Sequence, residues 1–178
     1  MSSNTEQQFK EQVALCRTLF AQKAHDYSSA WRVLRPSSLT DQILIKVRRI
    51  RNIQIIGNQQ VEDDVRTELI GIVNYAIMAL IQLEHGVADT ADLSAEQAIA
   101  LYDEKSQSAL SLMLRKNHDY GEAWREMRPE SIADIILMKV LRTKELEDLN
   151  GQAIVSEGID ANYLDMINYA IFVLIKTA

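Results

Sequence analysis

His118-Asp119-Tyr120-Gly121-Glu122-Ala123-Trp124-Arg125-Glu126-Met127-Arg128-Pro129 restates His25-Asp26-Tyr27-Ser28-Ser29-Ala30-Trp31-Arg32-Val33-Leu34-Arg35-Pro36 at an offset of 93 residues. Working outward, the register holds without a gap from Lys23–Arg49 to Lys116–Arg142, with 16 of 27 positions identical. After one added residue in the second copy, Val73-Asn74-Tyr75-Ala76-Ile77 pairs with Ile167-Asn168-Tyr169-Ala170-Ile171 at an offset of 94. The chain is a tandem duplication of a unit of roughly 80 to 90 residues. We place the repeats at residues 1–88 and 89–178. One such unit would have a marginal core, so the two are expected to pack face to face as an internal pseudo-dimer, forming one body.

Composition narrows the function classes. A net charge of −6 over 178 residues argues against nonspecific nucleic-acid binding, which needs an excess of Lys and Arg to displace counterions. A single cysteine, Cys16, permits neither an internal disulfide nor a cysteine zinc cluster and fits a reducing compartment. The first residues carry neither a basic nor an apolar targeting segment. The most apolar run, Tyr169–Ile175, is far short of a membrane span. The expectation is a cytoplasmic protein with no membrane partner; further homo-oligomerisation stays open.

Apolar residues recur at helical spacing throughout. Phe9, Val13, Cys16, Leu19 and Phe20 predict a helix over about 5–25. The His-Asp-Tyr to Trp-Arg stretch then reads as a loop closed by Pro36. Leu39, Ile43, Val47 and Ile50 predict a second helix over about 39–56, ended at Gly57 and Asn58. A third runs from about Gln60 to Glu84 and is apolar nearly all round in its later half, which suits the middle of a bundle. Gly86 reads as a helix end and Ser94 as the cap of the next helix. The second copy repeats the plan over about 95–116, 132–149 and 156–176. With no strand-like alternation, the fold class is all-α: a tandem duplication of a three-helix unit in a helical bundle.

Polar residues on the third helix draw attention because burial costs free energy without partners. Asn162, Asp165 and Asn168 lie three apart in the second copy; their counterparts are Glu68, Gly71 and Asn74, with Asp64 one turn earlier. Superimposed, the copies spell Glu-x-x-Asp, a spacing that suits Mg²⁺ holding phosphates. Against this, Asn74 and Asn168 could be packing hydrogen bonders and the acids solvated. Lys46 and Arg49, matched by Lys139 and Arg142, make a phosphate clamp of one point charge and one bidentate fork. Their alternative role is ion pairing with the third-helix acids or with Asp41 and Asp134. Trp31 and Trp124 could stack on a base, and Asp26, Tyr27, Asp119 and Tyr120 could contact ligand, although aromatics after a helix more often anchor a loop. Gly121 in place of Ser28 suggests a positive φ in the second copy.

These residues resemble a bacterial and phage family, the nucleotide modification associated domain, sometimes found in tandem. The resemblance rests on Lys116-x-x-Asp-Tyr-Gly-x-x-Trp124, Asp134-x-x-x-x-Lys139-x-x-Arg142 and Asp165-x-x-Asn168-Tyr-Ala, with their first-copy counterparts. That family in turn looks like a distant relative of the MazG-type all-α nucleotide pyrophosphohydrolases, which hold Mg²⁺ with Glu-x-x-Glu and Glu-x-x-Asp. The resemblance implies a nucleotide or nucleotide-like ligand and a Mg²⁺-dependent hydrolysis with Asp165, Glu68 and Asp64 as metal ligands. Lys46, Arg49, Lys139 and Arg142 stand where a Glu-x-x-Glu is expected, so bases replace acids. The alternative class is a noncatalytic helical module that recognises a protein or modified nucleic acid. A helix-turn-helix reading on Arg48, Arg49 and Arg51 is weakest, since the second copy has no comparable basic face.

Overall fold

The computed structural model describes residues 2–57, 64–150 and 158–178. They form six α-helices, α1 (Ser2–Tyr27), α2 (Pro36–Ile56), α3 (Val65–His85), α4 (Ala95–Tyr120), α5 (Pro129–Asp148) and α6 (Ile159–Lys176). A short 3-10 turn precedes α2 (Ala30–Val33) and α5 (Ala123–Glu126). No strand occurs among the described residues. The fold is all-α and built from two three-helix copies, as the periodicity predicts.

The ends of the helices follow local chemistry, with informative shifts from expectation. Ser94 caps α4 in a capping box with Gln97, and Gly57 closes α2 at φ 73. Pro36 and Pro129 open α2 and α5 at their first turn, three residues before the predicted starts. Proline's fixed φ suits that position, and its missing N–H is not needed there. His25-Asp26-Tyr27 and His118-Asp119-Tyr120 are the last turns of α1 and α4, not loop. Ser28 and Gly121 both adopt positive φ, 57 and 61, so that turn is common to the copies. The copies part at the next residue, where Glu122 has φ 57 and Ser29 φ −104. The predicted helix starts near Gln60 and Ser156, and Asn58, lie outside the described residues.

Equivalent helices of the two copies pack against each other in three pairs, α1 on α4, α2 on α5 and α3 on α6. That pattern is an approximate two-fold relation within one chain. Ile72, Ile77, Ile81, Ile167, Ile171 and Leu174 are fully buried along α3 and α6. Each such side chain contributes about 1.5–3 kcal/mol when removed from water. Although α3 is long and apolar enough to cross a membrane, 61% of its 18-residue apolar stretch is buried inside the protein. The seam is also paired by charge: Arg51 donates to Asp134 at 2.9 Å, and the related Lys144 pairs with Asp41. Asp41 and Asp134 therefore bind residues of the opposite copy. Arg17 grips Asp103 with two bonds, at 2.7 and 3.0 Å, between α1 and α4.

The tryptophan-bearing turns are tied to the third helices. Gln82 on α3 donates to the carbonyl of Arg32 at 2.8 Å, and Lys176, its counterpart on α6, donates to the carbonyl of Arg125 at 2.5 Å. Different residues hold the same carbonyl in each copy. The guanidinium of Arg32 reaches Gln82, the Gly86 carbonyl and Asp92. That of Arg125 reaches Thr5 and Gln8 on α1.

Candidate functional site

Each repeat holds a cleft between the end of its first helix, its tryptophan turn, its second helix and its third. In the second repeat the cleft is about 420 Å³ and is lined by Lys116, Tyr120, Trp124, Lys139, Asp165 and Asn168, among others. Asp165 is buried at its floor, and its two carboxylate oxygens face different cations. Lys116 stands 2.8 Å from one oxygen and Lys139 3.0 Å from the other. Lys139 is itself almost fully buried, where an ammonium group needs a paired acid such as Asp165.

The first-repeat cleft is about 490 Å³ and more apolar in its lining, with Lys23, Tyr27, Trp31, Lys46, Glu68 and Tyr75 among its walls. Its buried acid is Glu68, one turn nearer the start of the helix. Glu68 also faces two cations, Arg49 at 2.8 Å and Lys46 at 3.3 Å. Lys46 passes over Gly71 on the way: a Cβ built there would stand 2.5 Å from the lysine Cε. The Lys46 ammonium lies 5.8 Å from the Tyr75 ring centre, within range of a cation–π attraction.

The residues singled out by sequence thus separate into groups. Lys46, Lys139, Glu68, Asp165, Tyr27, Tyr120, Trp31 and Trp124 line the clefts. Arg49 reaches in through Glu68, whereas Arg142 is exposed and outside the second cleft, because Asn162 stands where Glu68 would hold it. Asp26 and Asp119 are exposed, the latter 3.0 Å from His118. Asp64 caps α3 through the Thr67 amide at 2.8 Å, a bond that lowers its carboxyl below the usual range. Asn74 and Asn168 donate to the carbonyls of Cys16 and Ala109 at 3.1 and 3.2 Å, joining the third helix to the first.

Two features were not assigned from sequence. Lys23 and Lys116 enter the clefts; they open the repeated stretch and are identical in both copies, which was the available signal. The sequence reads the Gly71/Asp165 position as half of a Glu-x-x-Asp pair; in the structure it decides how the lysines group, around Asp165 in the second repeat and around Glu68 in the first. The aromatics also differ. Trp124 is buried, lying flat on Phe172 with ring centres 4.2 Å apart, and carries the Arg125 guanidinium 4.4 Å from its ring. With those neighbours it anchors the turn and offers no free stacking face. Trp31 is only half-buried, and its ring neighbour among the described residues is Phe20, tilted at 6.1 Å.

Mg²⁺ demands an octahedral shell of oxygens. Among the described residues each cleft is lined by one carboxylate, with both oxygens facing cations. Glu68 and Asp165 lie in different clefts and Asp64 is a helix cap. Among the described residues no group of three or more His, Cys, Asp or Glu could hold a metal ion. This donor set does not fit an ion held by the protein alone.

Comparison with curated proteins and with solved structures gives no match. A family model does match, twice, over residues 23–83 and 116–177, which spans both clefts' lysines, acids and aromatic turns. The chain belongs to the nucleotide modification associated domain 1 family and carries two copies of that domain in tandem.

Proposed function

We propose that the protein binds a nucleotide or nucleotide-like phosphate ester, with phosphate oxygens at the lysines of the cleft and the base toward its aromatic side. The observation that carries this reading is the convergence of two cations on one buried carboxylate in each repeat, at 2.8 and 3.0 Å around Asp165 and at 2.8 and 3.3 Å around Glu68. Cations already gathered and oriented toward an oxyanion need little rearrangement to accept a phosphate, and such charge-assisted bonds are the strong ones. The family description supports the ligand class.

The same arrangement bears on chemistry. A MazG-like pyrophosphohydrolase would gather several carboxylates around Mg²⁺, whereas here each acid is held apart by cations. We therefore take binding as the function and assign no residue to hydrolysis. A metal entering with a nucleotide's phosphates would find one carboxylate per cleft among the described residues.

A thermal-shift screen against ribo- and deoxynucleoside mono-, di- and triphosphates, with Mg²⁺ and with chelator, tests the reading. A ligand that binds the native state must raise the midpoint by mass action. The expected result is a shift that grows with phosphate number and persists in chelator. A midpoint indifferent to every nucleotide would instead favour the noncatalytic module that recognises a protein or modified nucleic acid.

A further inference from the structure

The two clefts share a plan but differ at one position that decides what the lysines do. In the second repeat Asp165 engages both Lys116 and Lys139. In the first, that position is Gly71, and the acid sits a turn away at Glu68, where it meets Lys46 and Arg49. Lys23, the counterpart of Lys116, lines the first cleft with no ion-pair partner among the described residues. A second difference is independent of charge. Trp124 is sandwiched with Phe172 and Arg125. At Trp31 the Phe172 position is Met78, and the Arg32 guanidinium is turned away to Gln82, Gly86 and Asp92.

We infer that the first-repeat cleft is the ligand site, with Lys23 and Lys46 on phosphate and Trp31 against the base, while Asp165 occupies the second cleft as a built-in stand-in for phosphate. This deepens the proposed function and rests on it. A carboxylate carried on α6 is presented to Lys116 and Lys139 at the effective concentration of an intramolecular group, in the millimolar range or above. A free phosphate must displace it from both lysines, whereas of the two lysines in the first cleft Glu68 holds only Lys46, at 3.3 Å, and Lys23 has no acid to give up among the described residues. The larger and more apolar first cleft also suits a base. Gly71 and Asp165 are then the residues that set binding in one repeat and prevent it in the other.

Amide NMR of the intact chain, titrated with inorganic pyrophosphate in chelator, reads the site directly. The expected shifts fall at Lys23, Lys46 and the 68–75 segment of α3, leaving 162–172 of α6 unmoved. Asp165→Asn is expected to add a second set of shifts at 162–172. Gly71→Asp is expected to weaken the first set at least tenfold; the lysine stem that its Cβ would meet is flexible, and an unchanged α4–α6 spectrum verifies the fold. Lys23→Ala, an exposed truncation, provides a second route to the same tenfold loss. Wild-type shifts appearing first or equally at 162–172 would overturn the inference while leaving phosphate binding standing. No shift anywhere would overturn both.

Discussion

Tyr102 donates to the side-chain oxygen of Asn74 at 2.8 Å, and the residue in Tyr102's place in the other repeat is Phe9. The register is fixed by the neighbouring bonds, since Asn74 donates to Cys16 and Asn168 to Ala109, 93 residues later. Without a hydroxyl opposite it, the Asn168 side-chain oxygen is buried with no partner. Phe9→Tyr should supply that partner and raise stability by about 1 kcal/mol, the usual net value of an added hydrogen bond. Chemical denaturation checks this; an unchanged or lower midpoint would mean that the added oxygen does not reach Asn168.

Asp165 faces two lysines from the floor of a cleft, one of them almost fully buried. Removing the acid leaves that charge short of its counterion, so Asp165→Ala should cost about 3–5 kcal/mol. Asp41 and Asp134 are more than half exposed in their pairs with Lys144 and Arg51, and their alanine variants should each lose no more than about 1 kcal/mol. Urea titration of the three variants separates the buried pair from the surface ones. Equal losses would contradict the contrast.

Cys16 is buried among α1, α3 and α4, and that burial pushes its thiol up to about 12. The thiolate is the reactive form. Alkylation by iodoacetamide at pH 8 should therefore be negligible in the native protein and complete in denaturant, as read by intact mass. Rapid native labelling would show that α1 opens readily.

Glu147 is half-buried beside Thr40, with Asp41 also near, and burial raises its carboxyl above the usual range. The raised value means that the fold favours the protonated form. The sign follows: stability is lost as pH rises from the ordinary glutamate range through the raised value. Glu147→Gln should thus be more stable than the wild type at pH 7 to 8, with the gap closing in acid below the ordinary range. Thermal midpoints across pH test it, and a gap that widened in acid would reverse the assignment.

Much of the architecture was legible because it depends on local rules repeated twice. Ser94 and Gly86 mark helix ends by capping chemistry, and the apolar spacing of α3 and α6 announces central helices. The placement of side chains between copies was less so. Lys46–Arg49 and Lys139–Arg142 read identically, yet among the described residues only the first pair converges on one acid, because Asn162 stands where Glu68 does. Glu-x-x-Asp, assembled by superimposing the copies, is not a site in either: the acids belong to separate clefts. The difference between Trp31 and Trp124 was also hidden, since it follows from where Arg32 and Arg125 turn and from Met78 replacing Phe172. Spacing gives the face of a helix, not which neighbour meets it.

The most direct test of phosphate binding at the lysines is calorimetric titration of the intact chain with a panel of deoxynucleoside triphosphates and their parent nucleosides, before and after Lys46→Ala. At least one triphosphate should bind more tightly than its nucleoside, and the variant should lose about tenfold in affinity, or about 1.4 kcal/mol. A nucleoside that binds as tightly as its triphosphate, or a Lys46→Ala protein with undiminished affinity, would contradict phosphate recognition at these lysines.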